Sequence, residues 1–430
     1  MPQNPKTYLC IDMKSFYASV ECAERCLNPF ESCLVVADES RGKNALCLAI
    51  SPKMKALGIR NRCRLSEIPR SVSYIIAPPR MQLYIDYAAD IYAIYLNYFS
   101  PEDIHVYSID ESFLDATHYL GTYGMTAKQL AKTLMNEIAD KLQIPSTAGI
   151  GTNLYLAKIA LDITAKRAKD HMGYLDEALY RQTLWDHEPL SDFWQVSTGT
   201  VNRLARLGIR TMRGITQAPE PLLYKAFGKN AELLIDHAWG RESCEMKDIK
   251  NYRTKTHSVS FSQILPRDYS FEEARIVMQE MVLHSSHELM KRKVIAPKVW
   301  LGIGYSHSAA IPTSKGSVRL TSATGVNSLL QEAALPLFDR LADRQIPIRR
   351  LAIAFCDVVD ESCEGYDLFT DWAAIDREKA RERAVMEIAE KHGKNALLRG
   401  TSYLDAATQR ERNEMIGGHR AGYDDPGRTR

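Results

Sequence analysis

The stretch YSIDESFLDA, residues 107–116, decides how this chain is read. Ile109, Phe113 and Leu114 give it the alternation of a strand or tight hairpin, yet Asp110 and Glu111 stand side by side at its centre. On an ordinary sheet one of these acids would face the core, where an unpaired carboxylate is costly unless a cation meets it. A third acid, Asp12, closes the apolar run YLCID. If the two strands lie together, Asp12, Asp110 and Glu111 form a hard-oxygen site suited to Mg2+, which also takes a backbone carbonyl, waters and substrate phosphates. A solvated hairpin tip is the alternative, and the residues directly after Asp12 tell against it.

At 430 residues the chain exceeds the size of about 250–300 residues at which a single core stops growing, so several domains are expected. Its 45% hydrophobic and 25% charged content is that of an ordinary globular protein. No apolar run reaches the roughly 18 residues of a membrane span, and the polar start MPQNPKTYL lacks the pattern of a signal peptide. A cytoplasmic protein with no membrane partner is expected. The nine cysteines show no CxxC pair and no neighbouring histidine, which favours reduced, mostly buried thiols over zinc. The net charge of +2 hides an asymmetry: residues 251–350 carry 14 basic and 8 acidic side chains, against 29 of each in 1–250 and 12 and 16 in 351–430. That local excess fits a surface following a phosphate backbone, with a solvated helix face as the alternative.

Hydrophobic spacing predicts a strand over 8–12, a helix with Ser15 as N-cap, strands over 33–37 and 45–50, and a short helix over 52–57 closed by Gly58. An amphipathic helix over 81–98 precedes the acid pair; a helix over 127–142, a strand in TAGIG and a helix over 153–165 come after it. This order, with the helices on one face, predicts a mixed sheet of ferredoxin-like type in an α+β protein. Past residue 173 the chain turns to helices and turns. A basic linker spans 251–257, a helix capped by Asp268 or Ser270 spans 271–290, and strands in KVIAPKVWLGIGYS and near 316–321 and 349–355 form a second small sheet. A charged helix over 376–391 ends at Gly393, and the final AGYDDPGRTR is expected to be disordered.

CIDMKSFYASVE, YSIDESFLDAT and GIGTNLYLAKIALDITAK, in this order and spacing, resemble the three palm motifs of the Y-family, lesion-bypass DNA polymerases, with the UmuC-like branch of Gram-positive bacteria and their mobile elements the nearest pattern. The resemblance runs over most of the chain. It implies a multidomain right hand: palm over 1–25 and 80–173, small fingers over 26–79, helical thumb over 174–250, linker over 251–257, α/β little finger over 258–358, and a tail over 359–430. The implied activity is template-directed addition of deoxynucleotides to a primer 3′ end with two Mg2+ ions, by a monomer of low fidelity.

Residue by residue, Asp12, Asp110 and Glu111 match the family's metal-binding carboxylates, with the Met13 carbonyl as a further ligand. Tyr17 matches the ring that collides with a 2′-hydroxyl on the incoming sugar, with Phe16 packed near the same pocket. Lys55 and Lys166 match the cations that meet the triphosphate. Pro52 replaces a tyrosine common at its position, and Lys166 comes one residue later than usual, leaving Arg167 or Lys169 as substitutes. Gln195 and Ser197 replace glycines in a thumb loop that presents amides to DNA; Arg203 and Arg206, with Arg210, are the candidate DNA contacts there, with a solvated face as the alternative. In the little finger Lys291, Arg292, Lys293, Lys298, Lys315 and Arg319 are the candidate phosphate contacts. Tyr366, Asp367, Leu368 and Phe369 resemble a degenerate sliding-clamp motif, with Gly365 where a glutamine is usual. Two other readings stay open: a catalytically silent DNA-binding scaffold on the same fold, and a nucleotidyl cyclase, which would need neither the basic third quarter nor the thumb-like helices.

Overall fold

Apolar residues fill almost every position of YLCIDM, and a strand of that kind must be covered on both faces. The computed structural model of the chain describes residues 6–254, 257–365 and 370–422, which divide into two units, one reaching to Tyr252 and the other running from Arg253 to Ala421. Tyr366, Asp367, Leu368 and Phe369 lie outside the described residues. Among the described residues no helix is long and apolar enough to cross a membrane. The nine thiols are free, four of them buried, fewer than the sequence suggests.

In the first unit β1 (Tyr8–Met13) is followed by α1 (Phe16–Ala23), then β2 (Leu34–Val36), β3 (Ala49–Ile50), α2 (Pro52–Ala56) and β4 (Ile75–Ala77). Next come α3 (Met81–Leu96), β5 (Ile104–Val106), β6 (Glu111–Asp115), α4 (Tyr119–Tyr123), α5 (Ala127–Leu142), β7 (Ser146–Gly151), α6 (Leu154–Ile159) and β8 (Met172–Leu175). The main sheet has the order β5–β6–β1–β7–β8, with β1 antiparallel to β6 and β7, and β7 parallel to β8. A smaller sheet, β3–β2–β4, has its own apolar core.

Helices cover both faces of the main sheet, not one. Met13 and Ser112 turn toward Ile91 and Tyr95 of α3, while α6 lies on the face of Tyr8, Cys10 and Phe113. Gly149 and Gly151 allow that second contact: a Cβ at either position would stand 2.1 Å from a backbone atom of Ala157. The helix therefore rests directly on the sheet backbone. Ser51 and Asn153 cap their helices, each side chain accepting from a backbone N–H three residues on. Ser15 does not; it adopts φ 51° and makes no capping bond. The unit continues with α7 (Glu177–Leu184), α8 (Thr198–Arg206), α9 (Met212–Gln217), α10 (Glu220–Phe227), α11 (Asn230–Trp239) and α12 (Met246–Asn251), most of which share an apolar core with α6.

The second unit is built on β9 (Ser258–Tyr269), α13 (Phe271–Lys291), β10 (Val294–Tyr305), β11 (Ser314–Thr324), α14 (Asn327–Leu341) and β12 (Ile348–Cys356), with short β13 (Val359–Asp360) added to β10. Its sheet, β11–β10–β12–β9, is antiparallel throughout and packs one face on α13 and α14. Ser270 caps α13 in a reciprocal bond with Glu273. Of the tail expected over 359–430, residues 359–365 and 370–421 belong to this unit. On α15 (Trp372–His392), Glu382 is 3% exposed and lies 2.8 Å from His287 Nε2, and Arg399 donates to it at 2.9 Å. Further on, the Thr408 N–H donates to buried Glu280 at 2.8 Å, and Ala406 joins the apolar core.

Candidate active site

The antiparallel register of β1 and β6 sets Asp12 directly opposite Glu111. Residues so paired have Cβ atoms about 4.5–5.5 Å apart, and like charges there repel. Asp110 precedes the strand at the hairpin tip, where its carbonyl accepts the Met13 N–H at 2.9 Å and its carboxylate accepts the Ser108 hydroxyl at 2.7 Å. Burial, reinforced by the charges of Asp110 and Glu111, pushes the Asp12 carboxyl up to about 7. The structure thus gathers all three acids and leaves one of them short of positive charge.

One ammonium is built into the floor. Lys158 of α6, 7% exposed, donates to Glu111 Oε2 at 2.7 Å and to Asp162 at 3.2 Å, while the Cys10 thiol donates to Glu111 Oε1 at 3.3 Å. Burial works against the Lys158 charge, but Asp162 and Glu111 outweigh it and hold the group above its ordinary value. Sequence reasoning passes over Lys158 in favour of Lys166. The available signal is a lysine inside the apolar run LYLAKIAL. Directly after α6 the chain widens into a π turn over Ala160–Thr164, a conformation that accommodates one additional residue. Beyond that turn Lys166 lies near Lys55: burial first, and then the Lys166 charge, lowers the Lys55 ammonium, while Asp12 pulls the other way. Lys14, also missed, is lowered by burial and by Lys55, with Asp12 opposing.

Tyr17 stands at the edge of this constellation. Burial first, then the charge of Asp110, raises its hydroxyl, while Arg62 opposes. Phe16 is 3% exposed, its ring centroid 5.8 Å from that of Tyr17. In the helical region Gln195 takes φ 67°, the backbone conformation for which glycine is the usual choice. Arg203 stacks on Phe227 at 5.1 Å and donates to the Ala226 carbonyl, whereas Arg206 is exposed.

The basic candidates of the second unit do not all share one surface. Lys298 lies opposite Arg319 on the sheet face turned away from α13 and α14, and Lys315 points the same way two pairs along. Trp300 lies over Gly302 on that face, where a Cβ would meet the indole at 2.7 Å. Arg350, opposite Gly304, belongs to the same face and was not singled out. Lys291, Arg292 and Lys293 sit at the turn between α13 and β10, off that face, and Arg292 pairs with Glu288 at 2.6 Å.

Comparison with known proteins gives the family. Residues 11–162 match the impB/mucB/samB family, and residues 256–368 match the C-terminal domain of that family. The chain is 31% identical over 422 residues to UvrX of Bacillus subtilis (strain 168), a relative named for UV-damage repair, covering 97% of this chain and 98% of the relative. It is 30% identical over 424 residues to DNA polymerase IV 2 of the same organism, covering 96% and 98%. A solved Y-family DNA polymerase chimera of Dbh and Dpo4 superposes with a TM-score of 0.64 at 19% identity, over 82% of this chain and 99% of that one. The chain belongs to the impB/mucB/samB family of Y-family polymerases.

Proposed function

We propose that the protein is a template-directed DNA polymerase of the lesion-bypass type, extending a primer from deoxynucleoside triphosphates in the cytoplasm. The supporting observation is the convergence of Asp12, Asp110 and Glu111 at one end of β1 and β6, with Lys14, Lys55 and Lys166 close by. Three acids there share a single buried ammonium, itself divided with Asp162, so the cluster suits a divalent cation in charge and in donor type. Among the described residues no three such side chains enclose an ion by themselves. Asp12, Asp110, Glu111 and the Met13 carbonyl would hold Mg2+ together with nucleotide phosphates and water. Two Mg2+ ions, when bound, supply charge stabilisation for in-line phosphoryl transfer.

The remaining work falls to the chain's own side chains. Lys55 and Lys166 neutralise the triphosphate. The Tyr17 ring excludes a 2′-hydroxyl. Lys158 and Cys10 hold Glu111 in one orientation by occupying both of its oxygens. Lys298, Lys315 and Arg319 follow duplex phosphates, Arg206 is a further phosphate contact, and residues 366–369 supply a sliding-clamp contact for an otherwise monomeric enzyme. Primer extension with Mg2+ and deoxynucleotides tests this reading. Elongation that stops in Asp110→Ala supports it; DNA binding without elongation by the intact protein assigns a scaffold, and a cyclic product from free nucleotide assigns a cyclase.

A further inference from the structure

The ring of Tyr17 does not stand alone. It stacks on Tyr84 of α3, with centroids 4.5 Å apart and planes inclined by 17°. Tyr84 is fully buried, and its hydroxyl donates to Glu21 Oε1 at 2.8 Å. Glu21 lies one turn beyond Tyr17 on α1 and is itself 0% exposed. It accepts two further bonds from Arg80, at 3.0 and 2.8 Å, and pairs with Arg25. Three residues on, Tyr87 donates to Glu24 at 2.9 Å, so α1 and α3 are joined along a seam of carboxylates and phenols.

A steric barrier discriminates only if it cannot retreat. A lone tyrosine at the rim of a cleft changes rotamer in picoseconds to nanoseconds, and a displacement of tenths of an ångström would admit one more oxygen atom. Tyr84 covers one face of the Tyr17 ring, and Tyr84 cannot yield in turn because its hydroxyl is tied to a carboxylate locked by arginine. We infer that Tyr84 is a positioning residue for sugar selection: by backing the Tyr17 ring, and being held by the Glu21–Arg80 pair, it sets how strongly the enzyme rejects ribonucleotides. This rests on the proposed role of Tyr17 and adds the element that makes the barrier rigid.

Single-nucleotide extension with matched ribo- and deoxynucleoside triphosphates, read as the ratio of their kcat/KM values, tests the inference. Tyr84→Leu, which removes the stacked ring, is expected to raise relative ribonucleotide use about tenfold, and Tyr84→Phe, which keeps the ring and loses the bond to Glu21, about threefold. Adding Tyr84→Leu to Tyr17→Ala is expected to give no further change, since a backing has no effect once the barrier is gone. A wild-type ratio in Tyr84→Leu beside a raised one in Tyr17→Ala overturns this inference alone. An unchanged ratio in Tyr17→Ala removes the barrier itself and this inference with it. Should Tyr84→Leu fail to fold, the isosteric Tyr84→Phe decides: a threefold shift supports the backing, and a wild-type ratio overturns it.

Discussion

Around β1 and β6 the Glu111–Lys158 pair is buried, whereas on the outer face of the β11–β10–β12–β9 sheet the charged groups stand among glycine, alanine and serine. Glu111 has a partner on each oxygen and Glu21 is held by two arginines. Lys315 and Arg319, by contrast, project from alternating exposed positions of an edge strand. The difference fits the roles proposed for the two regions. Phosphoryl transfer depends on reacting groups held to within fractions of an ångström, which takes buried and mutually satisfied partners. Holding a duplex regardless of sequence needs only positive potential at phosphate spacing, and long solvated side chains supply it.

The comparison breaks most visibly at the acids. Asp110→Ala or Glu111→Ala is expected to lower primer extension by at least about a thousandfold while duplex affinity, followed by fluorescence anisotropy, stays within about twofold. Parallel losses of both would dissolve the distinction between the two regions. Lys158→Met comes next. It leaves Glu111 buried without its ammonium, so kcat should fall about ten- to a hundredfold and urea unfolding should show a loss of about 2–4 kcal/mol, with Lys158→Arg recovering much of the stability. A variant with wild-type unfolding would mean that the 2.7 Å pair contributes nothing.

Replacing Lys298, Lys315 and Arg319 together with alanine should weaken duplex binding about tenfold near 0.15 M salt and reduce the log–log salt slope by about 2–3, with little change in kcat once DNA is saturating. A slope equal to that of the parent protein would move the duplex elsewhere. The smallest effect concerns Asp12. Its carboxyl titrates near 7 in the fold against 3.8 in a free chain, so the folded state holds the extra proton between those values. Metal-free stability must therefore fall as pH rises through that window and remain low above it. Asp12→Asn is expected to raise metal-free stability at about pH 8 and to change little near pH 4. Thermal unfolding at the two pH values checks this, and an effect at both would locate its cause outside titration.

Much of the first unit was legible because its periodicities are strong. The helix over 127–142 and the strands around Asp12 and TAGIG fall where hydrophobic spacing predicts them. The acids were legible because a charged pair in an apolar strand demands a partner. What stayed hidden lies in contacts between segments remote in sequence. Glu21 reads as an ordinary acidic position of a short helix until Arg80 and Tyr84 arrive from 59 and 63 residues away. Lys158 stayed hidden for the same reason, since its partner Glu111 lies 47 residues away on another element. In the second unit β9 was not foreseen: Gln263 interrupts the alternation of Val259, Phe261 and Leu265, and the basic linker just before it suggests a loop. The helix α14 was also missed, since Pro336 stands inside it.

Gly149 and Gly151 carry a consequence for how such an enzyme can diversify. With α6 seated on bare backbone, the spacing between Lys158 and Glu111 is fixed by a contact that has no side-chain layer to trim or pad. Variation in template tolerance must then be sought in the loops and charges bordering the cleft, because the bed beneath it admits not even a methyl group.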